Sequence, residues 1–165
     1  MQAYAAFEDA DALGTFLDNH DQQRFLFVRA DVVAYRAALL YTLLSTGIPI
    51  VYYGTEALFA GGSDPANREP LWPTGFPTDG AMYSFIASVI AYRKAHALWA
   101  APQVQRYADD TFYAFSRGTS FVAVTNVGGS GPTVTRTITY HPYADGTRLC
   151  NLCVRACWWS CVGVQ

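Results

Sequence analysis

Leu13-Gly14-Thr15-Phe16-Leu17-Asp18-Asn19-His20-Asp21 is the stretch on which the reading of this chain turns. An apolar, strand-like run stops abruptly in four polar residues. The carboxyl and imidazole groups among them can move protons, bind metal or hydrogen-bond a polyhydroxy ligand. A buried parallel strand looks like this when its C-terminal end delivers side chains into a site. His20 and Asp21 are the candidate chemical groups, with Arg24 close behind. Strands also end in polar turns that have no function, so the motif alone leaves both readings open.

Downstream, Asp31 is placed to cap a helix. Val32, Val33, Arg36, Ala37, Leu40, Tyr41 and Leu44 follow at helical spacing, in a segment so apolar that it must be largely buried. Gly47 marks its stop. Ile48-Pro49-Ile50-Val51-Tyr52-Tyr53 is a second strand, with Pro49 at its start, ending at Gly54-Thr55-Glu56. Strand, helix and strand in this order predict a βαβ unit, and strands apolar on both faces predict a parallel sheet covered by helices.

Residues 57 to 80 form a long polar loop rich in glycine and proline. Loops of this length are functional or disordered, and Phe59, Trp72 and Phe76 argue for order. A second helix is expected from about Ala81 to His96. Beyond Pro102 the pattern changes to period two, and the runs on either side of Gly118 predict an antiparallel hairpin. Thr133 to Tyr140 reads as a further strand. The chain therefore divides into an α/β part, residues 1–102, and a small antiparallel β domain, residues 103–165.

Composition excludes several classes. With 52% hydrophobic and 15% charged residues the chain is built to bury a core, not to remain disordered. A net charge of -2 gives no electrostatic reason to expect nucleic acid or an anionic membrane as partner. No run approaches the roughly 20 apolar residues of a membrane span, and Met1-Gln2-Ala3-Tyr4 does not open a signal peptide. The four cysteines, Cys150, Cys153, Cys157 and Cys161, all lie near the C-terminus. They suit a local disulfide in an oxidising compartment. Four thiolates also suffice for structural zinc, although the other parts of a typical zinc fold are missing.

Three motifs occur together and in order: Phe16-Leu17-Asp18-Asn19-His20-Asp21, Gly47 to Glu56, and Ala60-Gly61-Gly62-Ser63-Asp64-Pro65-Ala66-Asn67-Arg68-Glu69, the last followed by Gly75-Phe76-Pro77-Thr78-Asp79. The combination resembles the C-terminal part of secreted fungal-type α-amylases of the (β/α)8-barrel glycoside hydrolases. It is good from about Leu13 to Thr125, looser beyond, and poor over the last fifteen residues. The fold it implies is α/β: the last two βα units of a TIM-type barrel, followed by an incomplete antiparallel β-sandwich. It implies a site at the C-terminal face of the strands.

By that resemblance Asp21 is the acidic group that stabilises the transition state, His20 hydrogen-bonds the same sugar, and Asp64 and Arg68 bind a glucose further toward the non-reducing end. Asn19 and Arg24 are supporting residues; Arg24 either orients a carboxylate or touches sugar. Asp64 with Arg68 is equally readable as a solvated ion pair. Cys150 and Cys161 match a disulfide-bonded turn. The partner implied is an α-glucan or maltooligosaccharide, the location extracellular, and the reaction hydrolysis of internal α-1,4-glucosidic bonds with retention. Such hydrolysis needs two carboxyl groups roughly 5 Å apart, which the resemblance places on earlier strands. The calcium ligands of these enzymes also lie upstream, so no cofactor or metal site is expected in this chain. The expectation is a fragment, inactive alone, that needs the N-terminal barrel half. A non-catalytic carbohydrate-binding remnant and a piece of a related α-glucosidase or transglycosylase are the alternatives. Residue types alone also allow a metal site at Asp18, His20 and Asp21.

Overall fold

The computed structural model describes residues 6–152 and 161–163. Strand β1 (Gly14–Phe16) and strand β2 (Ile48–Ile50) pair in parallel, Gly14 opposite Ile48 and Phe16 opposite Ile50. Between them run a single turn α1 (Phe25–Val28) and helix α2 (Val32–Leu44). This is the expected βαβ unit, with shorter strands. Ile48 donates its N–H to the Leu13 carbonyl at 2.8 Å. Neighbouring residues of a strand point their backbone groups to opposite sides, so the Pro49 nitrogen faces away from β1 and costs no bond in this pair.

Asp31 caps α2: its Oδ1 accepts from the N–H of Val33 and of Ala34, both at 2.9 Å. Ser45 closes the helix, and Gly47, at φ +104°, turns the chain into β2. A side chain at Gly47 would meet the Leu13 carbonyl at 2.7 Å. The buried stripe of α2 differs from the expected one. It consists of Ala34, Tyr35, Leu39, Thr42, Leu43 and Leu44, while Val32 and Val33 are exposed. In so apolar a helix hydrophobicity cannot select a face. The neighbours select it: α3 (Ala81–Ala95) packs against α2, as does the three-stranded sheet that follows residue 102.

That sheet is antiparallel, in the order β3 (Gln103–Ala108), β4 (Phe112–Arg117), β5 (Ser120–Thr125). The β4–β5 hairpin turns at Gly118, φ +57°, as predicted. Strand β3 has no clear alternation and was not legible; it forms because β4 offers it an edge. Thr133 to Tyr140 corrects the sequence reading: it alternates like a strand but pairs with none among the described residues. Its Arg136 is instead held by the Asp109 carboxylate. Strands β6 (Arg148–Cys150) and β7 (Cys161–Gly163) pair antiparallel, with Cys150 opposite Cys161. Cys153 and Cys157 lie outside the described residues.

One core crosses residue 102. Leu26, Tyr35, Leu39, Leu43, Met82, Ile86, Val89 and Leu98 pack with Phe115 and Val122 in a single cluster. On the two-stranded sheet Phe16, Ile48 and Ile50 are each about half exposed. No helix among the described residues is long and apolar enough to cross a membrane.

Candidate active site

The segment after β1 sorts its polar residues by direction. Asp18 turns inward and is 4% exposed. Its Oδ1 accepts the Phe25 N–H at 2.8 Å, and its Oδ2 accepts the Tyr35 hydroxyl at 2.6 Å. Thr55 Oγ1 lies 3.2 Å from that hydroxyl. Burial, and then the bond to Asp18, push the Tyr35 phenol well above its ordinary range. Buried and hydrogen-bonded into the core, Asp18 does not gather with His20 and Asp21 into the metal site that residue types allowed. No group of three or more His, Cys, Asp and Glu able to hold a metal ion is gathered among the described residues.

Asn19 makes the turn. Its Oδ1 accepts from the N–H of Asp21 at 3.0 Å and of Gln22 at 2.9 Å, an Asx arrangement that supplies the backbone donors of a tight bend. His20 and Asp21 are thereby presented to solvent, with side chains 61% and 65% exposed and His20 Nε2 3.4 Å from Asp21 Oδ1. The loop after β2 brings the other half. Arg68 Nε lies 2.7 Å from Asp64 Oδ1, and its Nη2 lies 3.8 Å from Asp21 Oδ1. Residues more than forty positions apart thus form one continuous array: imidazole, carboxylate, guanidinium, carboxylate. Such an array, open to solvent, offers hydrogen-bond donors and acceptors in alternation, which matches a polyhydroxy ligand.

Arg24 stands beneath the array and not in it. It is fully buried. Its Nη1 donates to the Tyr53 carbonyl at 2.8 Å, and its Nε lies 3.1 Å from the Asn67 carbonyl and 3.2 Å from Glu69 Oε2. The guanidinium lies 4.0 Å above the Tyr52 ring centroid, a geometry that favours a desolvated cation. Of the two roles open in the sequence, Arg24 takes the first, with Glu69 and not Asp21 as the carboxylate it orients, and it ties the loop to the strand ends. Glu69 Oε1 in turn accepts the Gly61 N–H. Gly61 is obligatory, because a Cβ there would sit 1.8 Å from the Ala66 carbonyl.

Sequence reasoning overlooked Asn67, which is fully buried between the two halves. Its Nδ2 donates to the carbonyls of His20 and Gln22, both at 2.8 Å. Its position between Asp64 and Arg68 was the available signal, but nothing in its residue type separates a buried clamp from a loop amide.

No family model matches the chain. It is 43% identical over 107 residues to α-amylase 1 of Lipomyces kononenkoae, covering 65% of this chain and 16% of that protein. It is 38% identical over 156 residues to a β/α-amylase of Paenibacillus polymyxa, covering 88% of this chain and 13% of that protein. Among solved structures, an α-amylase from Malbranchea cinnamomea superposes with a TM-score of 0.84 at 36% identity, over 89% of this chain and 32% of that one. The chain therefore spans a third or less of each of these proteins. Its two βα units and antiparallel sheet are a piece of the barrel and trailing domain of that fold. By descent and by fold the chain belongs with the fungal and bacterial α-amylases, over the part of them that it spans.

Proposed function

We propose that the chain forms one wall of the substrate cleft of an α-amylase that hydrolyses internal α-1,4-glucosidic bonds of starch and glycogen with retention. The observation that carries this reading is the array His20, Asp21, Arg68 and Asp64, joined by contacts of 3.4, 3.8 and 2.7 Å on one open face. Asp21 accepts hydrogen bonds from the hydroxyls of the distorted sugar at the scissile bond. Those bonds strengthen as positive charge develops on the ring, so they lower the barrier and not merely the ground state. His20 donates to the same sugar. Asp64 and Arg68 hold a glucose further toward the non-reducing end, while Asn19 and Arg24 keep the two segments in shape.

The nucleophile and the acid/base belong, in this reading, to the rest of the barrel, as do the residues that hold calcium. The half-exposed Phe16, Ile48 and Ile50 are where that remainder packs. The boundary near residue 102 separates barrel from trailing domain despite their shared core. The register of Cys150 opposite Cys161 supports a disulfide between them and export of the protein to an oxidising compartment.

Calorimetry with maltoheptaose tests the cleft-wall reading. The wild-type chain is expected to bind with Kd on the order of 1 mM, and Asp21→Asn to bind more weakly. No heat at all from the wild type would overturn it. Alone, the chain is expected to release no reducing sugar from amylose; release that Asp21→Asn abolishes would refute the division of labour.

A further inference from the structure

We propose that Asn67 is a positioning residue that locks the Asp21 segment to the loop bearing Asp64 and Arg68, so that both halves of the sugar-binding wall align as one unit. The Asp21 carboxylate has little to hold it. It is 65% exposed, and among the described residues its charged partners are His20 at 3.4 Å and Arg68 at 3.8 Å. Its placement is therefore a matter of backbone, and the carbonyls on either side of it, those of His20 and Gln22, are both fastened to Asn67 Nδ2. Because both partners are carbonyl oxygens, only the amide nitrogen can face them, which fixes the orientation of the Asn67 group.

The other side of Asn67 is fastened as well. Its backbone carbonyl accepts from Arg24 Nε at 3.1 Å and lies 3.4 Å from the Tyr52 hydroxyl. Arg24 also donates its own N–H to the Gly61 carbonyl at 3.0 Å. Arg68 is the next residue along, so the clamp and the sugar-binding guanidinium share a peptide bond. Asn67 Oδ1 accepts no hydrogen bond among the described residues. Only the two donors of this side chain are in use, and they span the two segments that carry the array. Groups that must meet a sugar in hydrogen-bond geometry lose most of their effect when displaced by about 1 Å, and Asn67 is the side chain that prevents that displacement.

The sugar-binding part of this inference rests on the function proposed above, whereas the clamp does not, and the experiment separates them. Asn67→Asp keeps the shape of the residue and removes both donors. Hydrogen exchange of the full chain is expected to quicken by about tenfold or more in residues 19–24 and 61–69 of the variant, with β4 and β5 unchanged. No change in those two segments, or equal quickening everywhere, would overturn the clamp. Should Asn67→Asp not fold, the wild type decides: its Asn67 side-chain amide protons are expected to exchange far more slowly than those of exposed asparagines, and equal rates would overturn the clamp. Saturating maltoheptaose is expected to protect both segments in the wild type but only residues 61–69 in Asn67→Asp. Equal protection of both segments in the variant, at unchanged Kd, would overturn the positioning role. Absence of any sugar response in the wild type would overturn it too, together with the cleft-wall reading, and leave the clamp to be judged by exchange alone.

Discussion

Arg117 donates from Nη1 to the carbonyl of Ser45 at 2.7 Å, joining the hairpin to the end of helix α2. The last carbonyls of a helix have no partner within it, and here side chains supply one. Arg93 assists from α3, with Nη1 2.9 Å from the Leu43 carbonyl and Nη2 2.9 Å from that of Gly47. Both arginines are buried. Burial, and for Arg93 also the nearby Arg117, lowers their pKa values from the ordinary guanidinium range. Arg117→Leu keeps apolar bulk but removes the donor that reaches the Ala101 carbonyl at 2.8 Å, and leaves the Ser45 carbonyl with Arg93 Nη1 at 3.3 Å in place of the shorter bond. A loss of about 3 kcal/mol is expected in urea unfolding.

Tyr35→Phe removes the hydroxyl that donates to Oδ2 of the buried Asp18 carboxylate. An unsatisfied buried acceptor costs about 2 kcal/mol, so the unfolding midpoint is expected to drop accordingly. The pH dependence has a definite sign. The phenol pKa is raised in the folded state, so its contribution is intact below the ordinary tyrosine value of about 10 and is lost as pH climbs from there toward the folded pKa. Denaturant midpoints measured from pH 8 to 12 are expected to fall less steeply in Tyr35→Phe than in the wild type.

At acid pH the informative residue is Asp31. Backbone hydrogen bonds from Ala34 and then Gly129 hold its carboxyl below the usual range. Its Oδ1 caps α2 and its Oδ2 accepts the Gly129 N–H at 2.9 Å. A depressed pKa contributes stability above the unfolded value of about 3.9, and that stability is lost as pH falls through the folded pKa. Asp31→Asn is expected to flatten the acid limb of a thermal melting series between pH 5 and 2, most visibly at low salt, where charge effects are least screened.

Two glycines of the site loop separate crowding from backbone strain. Gly61→Ala forces a Cβ against the Ala66 carbonyl, whereas Gly75→Ala meets nothing within 4 Å but must hold φ near +70°. The second substitution is expected to cost about 1 kcal/mol, the first to cost more and to disorder the loop. Chemical denaturation measures the costs, and exchange across residues 61–69 reports the loop.

Arg68→Ala removes an exposed side chain whose partners, Asp64 and Asp21, are exposed as well. The unfolding midpoint should move by less than about 0.5 kcal/mol. Maltoheptaose affinity is expected to weaken about tenfold, which corresponds to about 1.4 kcal/mol. Unchanged binding in calorimetry would show that Arg68 is only a surface ion pair.

Local pattern in the sequence determined β1, α2, β2, α3 and the Gly118 hairpin, because each is encoded by the spacing of its own residues, with Asp31 and Gly47 bounding α2 and Gly118 turning the hairpin. It also singled out His20 and Asp21 by residue type at the end of a strand, and Asp64 and Arg68 by resemblance, and folding brings the four side chains into one array. It did not reveal which side of α2 is covered, since a helix apolar all round leaves that choice to its neighbours. Nor did it reveal that Thr133 to Tyr140 pairs with no strand among the described residues, because alternation specifies a strand's faces and not its partner. The buried roles of Arg24, Asn67, Arg93 and Arg117 were invisible for a related reason. Each is satisfied largely by backbone carbonyls, several of them forty or more positions away, and a carbonyl is the same at every residue. The opening stretch shows the division well: Leu13 to Asp21 specified a strand with a polar end, but only folding decided that Asp18 points into the core and Asp21 toward Arg68.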